Sequence, residues 1–200
     1  MDKTQILSYI ITTVSIIFVL VTHEWAHGYV AYLNGDTTAK DNGRLTLNPL
    51  KHLDLLGTIS MIVFRFGWAK PVPINQFNFK KKRLGLFTVA IAGIVMNLLT
   101  AFICMFIMVN VELNEIVFVL LDHISFYGIV FAVFNLIPIP PLDGSKILAS
   151  FLPDKFQYFI YKYEKYSFFI LVILIASGLI DKIFSPMILF VYKFFTNILV

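Results

Sequence analysis

Residues 6–33 read ILSYIITTVSIIFVLVTHEWAHGYVAYL, an apolar run interrupted near its end by His23, Glu24 and His27. A helix rises about 1.5 Å per residue, so about 20 mostly apolar residues cross the hydrocarbon of a bilayer. This run is long enough. The polar trio within it carries the second message, because an ionisable group at membrane depth costs about 2.5–3.5 kcal/mol on insertion scales. Three such groups within a turn and a half of one helix imply a task that needs them.

The rest of the chain agrees with a lipid environment. Hydrophobic residues make up 58% of the 200 residues and charged residues 14%, with 21 Phe and a net charge of +4. Soluble domains carry roughly 45–50% apolar and about 25% charged residues. A single cysteine, Cys104, excludes a disulfide scaffold, and the apolar content excludes disorder. The basic residues fall in short stretches between apolar blocks, which marks loops facing the cytoplasm and not a nucleic-acid surface. The expected class is an all-α polytopic membrane protein, one domain over 1–200, with a catalytic core over 1–152 and C-terminal helices over 153–200. It is placed in the cell membrane, and a first apolar run without a cleavage pattern predicts a retained span.

Further spans are expected at Leu84–Val109, Ile116–Ile137 and, more briefly, Phe168–Ile183, with Pro186–Val200 a last span or an interfacial helix. The stretch between His52 and Phe66 is too short for a full crossing. If it dips in and returns, Lys40, Arg44, Lys51, Lys80–Arg83, Lys146, Lys155, Lys162 and Lys165 share one face. The 110–115 loop, with Glu112 and Glu115, then lies opposite. The positive-inside rule thus predicts a re-entrant or interfacial segment, a cytoplasmic 34–83 region and an outside N-terminus. Gly43–Pro49 alternates polar and apolar residues, and Trp68–Asn75 holds Pro71 and Pro73. Both predict extended structure, so a small membrane-associated β/re-entrant region is expected between the first and second full spans. An edge strand there would hold an unwound substrate by backbone pairing.

His23-Glu24-Trp25-Ala26-His27 is a His-Glu-x-x-His pattern. Residues four apart share a helix face, so both imidazoles reach one ion, and Glu24, about 100° around, reaches a water beside it. Such a site needs a third protein ligand with one position left open. Asn135-Leu136-Ile137-Pro138-Ile139-Pro140-Pro141-Leu142-Asp143-Gly144 offers Asp143, held on a helix-broken segment at the same membrane depth. The plainer role for Asp143 is to cap a helix over Ser145–Phe151. His52 and His123 lack a spaced partner and read as a loop residue and a helix-start residue. Cys104 and Trp25 read as packing residues. Lys80–Arg83 and Tyr158, Tyr161, Tyr163 and Tyr166 read as contacts with headgroups.

Taken together, these motifs resemble the site-2 protease family of intramembrane zinc metalloproteases. The likeness runs over about residues 5–150, through Gly43–Pro49, Gly67–Asn75, Ala92-Gly93 with Asn97, and Pro-Pro-Leu-Asp-Gly at 140–144. It implies one catalytic zinc ion on His23, His27 and Asp143, with Glu24 as the catalytic base. It also implies cleavage of a peptide bond within or beside a transmembrane segment of a membrane-protein substrate. Asn135 matches a family position associated with substrate binding or transition-state support and is expected as a second catalytic residue, and Asn97 matches a polar family position. Ile94 and Leu55 stand where many members have Pro, and the chain resembles the compact members without PDZ or CBS domains. A prenyl-protein protease would take a helical Glu as third ligand. Serine and aspartyl intramembrane proteases need Gly-x-Ser-Gly and Gly-x-Gly-Asp, neither of which stands here in its setting. A metal transporter would show further intramembrane carboxylates, and a catalytically silent binder has no use for Glu24.

Overall fold

The computed structural model describes residues 2–54, 57 and 70–200. Among them the main elements are seven helices: α1 (Lys3–Leu33), α2 (Thr38–Asp41), α3 (Lys82–Asn110), α4 (Glu115–Asn135), α5 (Asp143–Phe151), α6 (Asp154–Ala176) and α7 (Leu179–Leu199). Short 3-10 turns lie at Pro49–Lys51 and Gln76–Asn78. Among the described residues four helices are long and apolar enough to cross a membrane: α1, α3, α4 and Lys182–Leu199 within α7. The expected short span at Phe168–Ile183 is not one helix, because α6 ends at Ala176 and Gly178 turns the chain at φ 69°. The left-handed backbone is open to Gly at little cost, so the apolar run is split there.

Some boundaries have a plain local cause. Asp2 and Gln5 form a reciprocal capping box at the start of α1. At its end, Gly35 takes φ 104° and Asn34 ties the helix to α3 through Val30 O and Thr88 Oγ1. Asn114 caps α4 by accepting from Val117 N–H.

The bundle core is α1, α3 and α4, with α7 laid on its side. Val19, Cys104 and Ile124 form one buried cluster, and Ala101, Met105, Ile129, Val133 and Phe195 form another. Helices in lipid gain little from the hydrophobic effect between them, so close approach by small residues does the packing. Gly128 shows it: a Cβ there would lie 2.9 Å from Asn97 O. The extramembrane chain packs against the same end of the bundle, where Ala31, Phe79 and Val89 are buried together.

The expected β region is not found as strands among the described residues. Gly43 sits at φ 61° after α2, Arg44 N–H closes that helix on Ala39 O, and Asn48 starts a 3-10 turn. Residues 70–75 belong to no helix or strand, and Pro71 and Pro73 have no N–H to give to a ladder. The N–H groups of Val72 and Asn75 and the carbonyls of Lys70 and Pro71 bond to side chains instead. The re-entrant stretch at 52–66 lies mostly outside the described residues. Its flanks meet: Lys70 N–H donates to His52 O at 2.8 Å.

Candidate metal centre

Three donor atoms converge between α1 and α5. His23 Nε2 and His27 Nε2 are 2.9 Å apart, and Asp143 Oδ2 lies 3.1 Å from the first and 3.0 Å from the second. All three residues are buried. The pair on α1 follows from their spacing of four. Asp143 arrives because the chain leaves α4 at Asn135, turns through three prolines and restarts as a helix at Asp143. Gly144 makes that return possible, since a Cβ there would run into the carbonyl oxygens of Leu136 and Ile137. Asp143 therefore opens α5, two residues earlier than expected. Its carboxylate turns to the histidines and to Lys146 Nζ at 3.2 Å, and not to the helix N–H groups.

One face of α3 backs the cluster. Val89, Gly93 and Asn97 recur every fourth residue. Val89 O accepts from His27 Nδ1 at 2.7 Å, and the Asn97 amide nitrogen lies 3.1 Å from His23 Nδ1. Between them Gly93 leaves room for the rings: a Cβ would come within 2.5 Å of His23 Cε1 and 2.6 Å of His27 Nε2.

These contacts test whether a metal fits. A carbonyl only accepts, so His27 carries its proton on Nδ1, and a neutral ring then aims the lone pair of Nε2 at a carboxylate oxygen. Lone pairs gathered in this way suit a shared cation. Ligand atoms about 2.05 Å from a tetrahedral zinc stand about 3.3 Å apart, close to the spacing found. Two imidazoles and a carboxylate with room beside them suit zinc.

Glu24 faces the extramembrane chain. Its Oε2 accepts from Val72 N–H at 2.8 Å, and Oε1 has no hydrogen-bond partner among the described residues. The segment carrying Val72 is held by Arg44, 8% exposed, which donates to Lys70 O at 2.8 Å and Pro71 O at 3.2 Å. His52 supports the same segment, donating from Nε2 to Thr46 O while its carbonyl accepts from Lys70. A cavity of about 240 Å³ opens beside the cluster, lined by His27, Val72, Ile74, Phe79, Asp143 and Lys146.

Asp36 ties this layer together. Burial by itself would raise its carboxyl, and bonds from the Thr38 hydroxyl, Asn75 N–H and the Asn78 amide outweigh that and hold it below the usual carboxylate range.

His23, Glu24, His27 and Asp143 are thus gathered at one place, whereas Asn135 is not joined to them. Its Nδ2 donates to Phe131 O, in its own helix. His52 lies in the loop layer as expected, whereas His123 is not a helix-start residue: it stands two turns into α4, where its ring bonds to Val119 O. Sequence reasoning missed the Val89 carbonyl, the Arg44 clamp, the Val72 N–H and Lys146. The 89, 93, 97 spacing was the one readable signal for the α3 face.

Apolar spanning helices around a His, His and carboxylate cluster, with a further glutamate beside it, define a membrane-embedded metallopeptidase. The comparisons make the assignment specific. A family model described as Peptidase family M50 matches residues 110–178. "Putative zinc metalloprotease YwhC" of Bacillus subtilis (strain 168) is 41% identical over 194 residues, 92% of this chain and 87% of that protein. "Putative zinc metalloprotease Rip2" of Mycolicibacterium smegmatis is 25% identical over 186 residues, 88% of this chain and 70% of its own length. No solved structure matches significantly. The chain belongs to peptidase family M50, the site-2 proteases.

Proposed function

We propose that this protein is an intramembrane zinc endopeptidase that cuts a peptide bond within or beside a transmembrane segment of another membrane protein. The observation that carries the reading is the convergence of His23, His27 and Asp143 beside Glu24 at the end of an apolar bundle. His23 Nε2, His27 Nε2 and Asp143 Oδ2 hold the metal. Bound there, zinc supplies a Lewis acid that polarises the scissile carbonyl and acidifies water.

Glu24 does the proton work at Oε1, since Oε2 is committed to Val72 N–H. It takes a proton from the attacking water as the carbon–oxygen bond forms, and hands it to the amide nitrogen as the carbon–nitrogen bond breaks. The substrate helix unwinds locally to enter the cavity beside Val72 and Ile74. Asn135 serves as a substrate-supporting donor once its amide exchanges the Phe131 carbonyl for the substrate.

Residues 1–152 act as the catalytic core of one membrane unit, with 153–200 the C-terminal helices. His52 and Lys70 are joined by a backbone bond, which supports these two positions lying on one face of the membrane. Lys40 and Lys51 follow the end of α1, Lys80–Arg83 flank and begin α3 and Lys155 stands at the start of α6, all toward the cluster, whereas Glu112 and Glu115 lie where α3 passes to α4 at the opposite end. That distribution favours a cytoplasmic active site.

The test is zinc content and cleavage of a model transmembrane substrate in detergent. Glu24→Gln is expected to keep about one zinc per chain and lose about 10²–10⁴-fold in rate. Asp143→Asn is expected to lose the metal. Normal cleavage by Glu24→Gln would refute the assignment.

A further inference from the structure

The two imidazoles of the centre are held differently on their outer edges. His27 Nδ1 faces a main-chain carbonyl, which can only accept, so that ring has one neutral tautomer. His23 Nδ1 faces the side-chain amide of Asn97, 3.1 Å away, and Asn97 is 1% exposed on the α3 face behind both rings. An amide can present a donor or an acceptor by rotating half a turn about its terminal bond. Usually the partner of the other amide atom decides which. Here that atom, Oδ1, is buried and has no hydrogen-bond partner among the described residues. None of those residues therefore fixes the amide, and the ring it faces sets its orientation.

We propose that Asn97 is a positioning residue for the metal ligand His23, and that its amide reverses as metal is taken up. With Nδ2 turned toward His23 Nδ1, as it stands, the amide donates to the ring. The ring proton then sits on Nε2 and is given to Asp143 Oδ2, 3.1 Å away. A metal needs the lone pair of Nε2, so the proton must move to Nδ1, where Asn97 has to accept it through Oδ1. The amide serves both states, and its lack of a second partner leaves it free to turn. Partners of this kind on metal-bound histidines change affinity by about 10–100-fold when removed.

The idea rests on the metal site proposed above. Its test is zinc affinity by chelator competition on the full chain in detergent, with the visible spectrum of the cobalt(II) form. Asn97→Leu, close in shape without hydrogen bonding, is expected to weaken zinc about 10–100-fold and alter the cobalt spectrum. Asn97→Asp can only accept through its carboxylate, and is expected to match or exceed the wild-type affinity with a wild-type spectrum. If Asn97→Asp binds as poorly as Asn97→Leu, or Asn97→Leu binds like wild type, the proposal is overturned. If Asn97→Leu does not fold, Asn97→Asp decides by itself in the same sense. A wild type that binds no zinc removes the metal site as well, which separates that failure from the failure of Asn97.

Discussion

The centre has two halves built on different principles. The ligand half, His23, His27 and Asp143 with the α3 face behind them, is carried on helices whose backbones satisfy themselves. The half that holds Glu24 is irregular chain, kept in place by side chains bonding to main-chain groups: Arg44 to Lys70 and Pro71, His52 to Thr46, Asp36 to Asn75. A helix-borne site is vulnerable to a change in volume, because its neighbours cannot retreat. A strapped loop is vulnerable to the loss of one hydrogen-bonding side chain. The contrast suggests that the metal and the base can be disturbed separately.

The largest expected effect is on the ligand half. Gly93→Val places carbon atoms where the imidazoles stand, with its Cβ alone 2.5 Å from His23 Cε1. Zinc content should fall below about a tenth of wild type, and activity with it, as read by metal analysis of the purified protein. A Gly93→Val variant that still binds one zinc would show that α3 yields, and the contrast would fail at its firmest point.

Next comes the loop half. Arg44→Met removes both charge-assisted, part-buried bonds to the 70–71 carbonyls, at about 1.5–3 kcal/mol. Cleavage should drop about 10–100-fold with zinc content unchanged. Loss of metal in this variant would mean that the two halves form one unit.

The smallest effect concerns stability. Asp36→Asn should cost about 1–3 kcal/mol, measured by unfolding in detergent, with zinc affinity little changed. The sign of its pH dependence follows from a folded-state pKa below the unfolded value of about 3.9. The stabilisation is complete above that value and is lost as the pH falls through the folded pKa. Wild type should therefore weaken on acidification below about pH 4, and Asp36→Asn should weaken less steeply. Equal slopes would show that Asp36 is not the anchor of this layer.

What could be read in advance divides along the same line. The pair on α1 was legible because helical spacing is regular, and Asp143 because a carboxylate among three prolines stands out in an apolar chain. The loop layer misled: Gly43–Pro49 suggested a strand where Arg44 N–H closes a helix on Ala39 O, and Trp68–Asn75 suggested another where the backbone groups of 70–75 pair with Asp36, Arg44 and Glu24. Those partners lie far along the chain, and no local pattern announces them. Asn135 stood in a matching motif, but its amide bonds back to Phe131 within α4.

By itself the sequence determined the lipid environment, the apolar helices and three residues fit to hold a metal, since hydropathy and helical period are local properties of the chain. Only the tertiary structure decided which groups surround them: the Val89 carbonyl on His27, the Asn97 amide on His23, the space left by Gly93 and the Arg44 clamp behind Glu24. Each of these depends on how separate helices and loops meet. That meeting is settled by close packing and by the need to satisfy every buried polar group at once, which no single stretch of chain encodes.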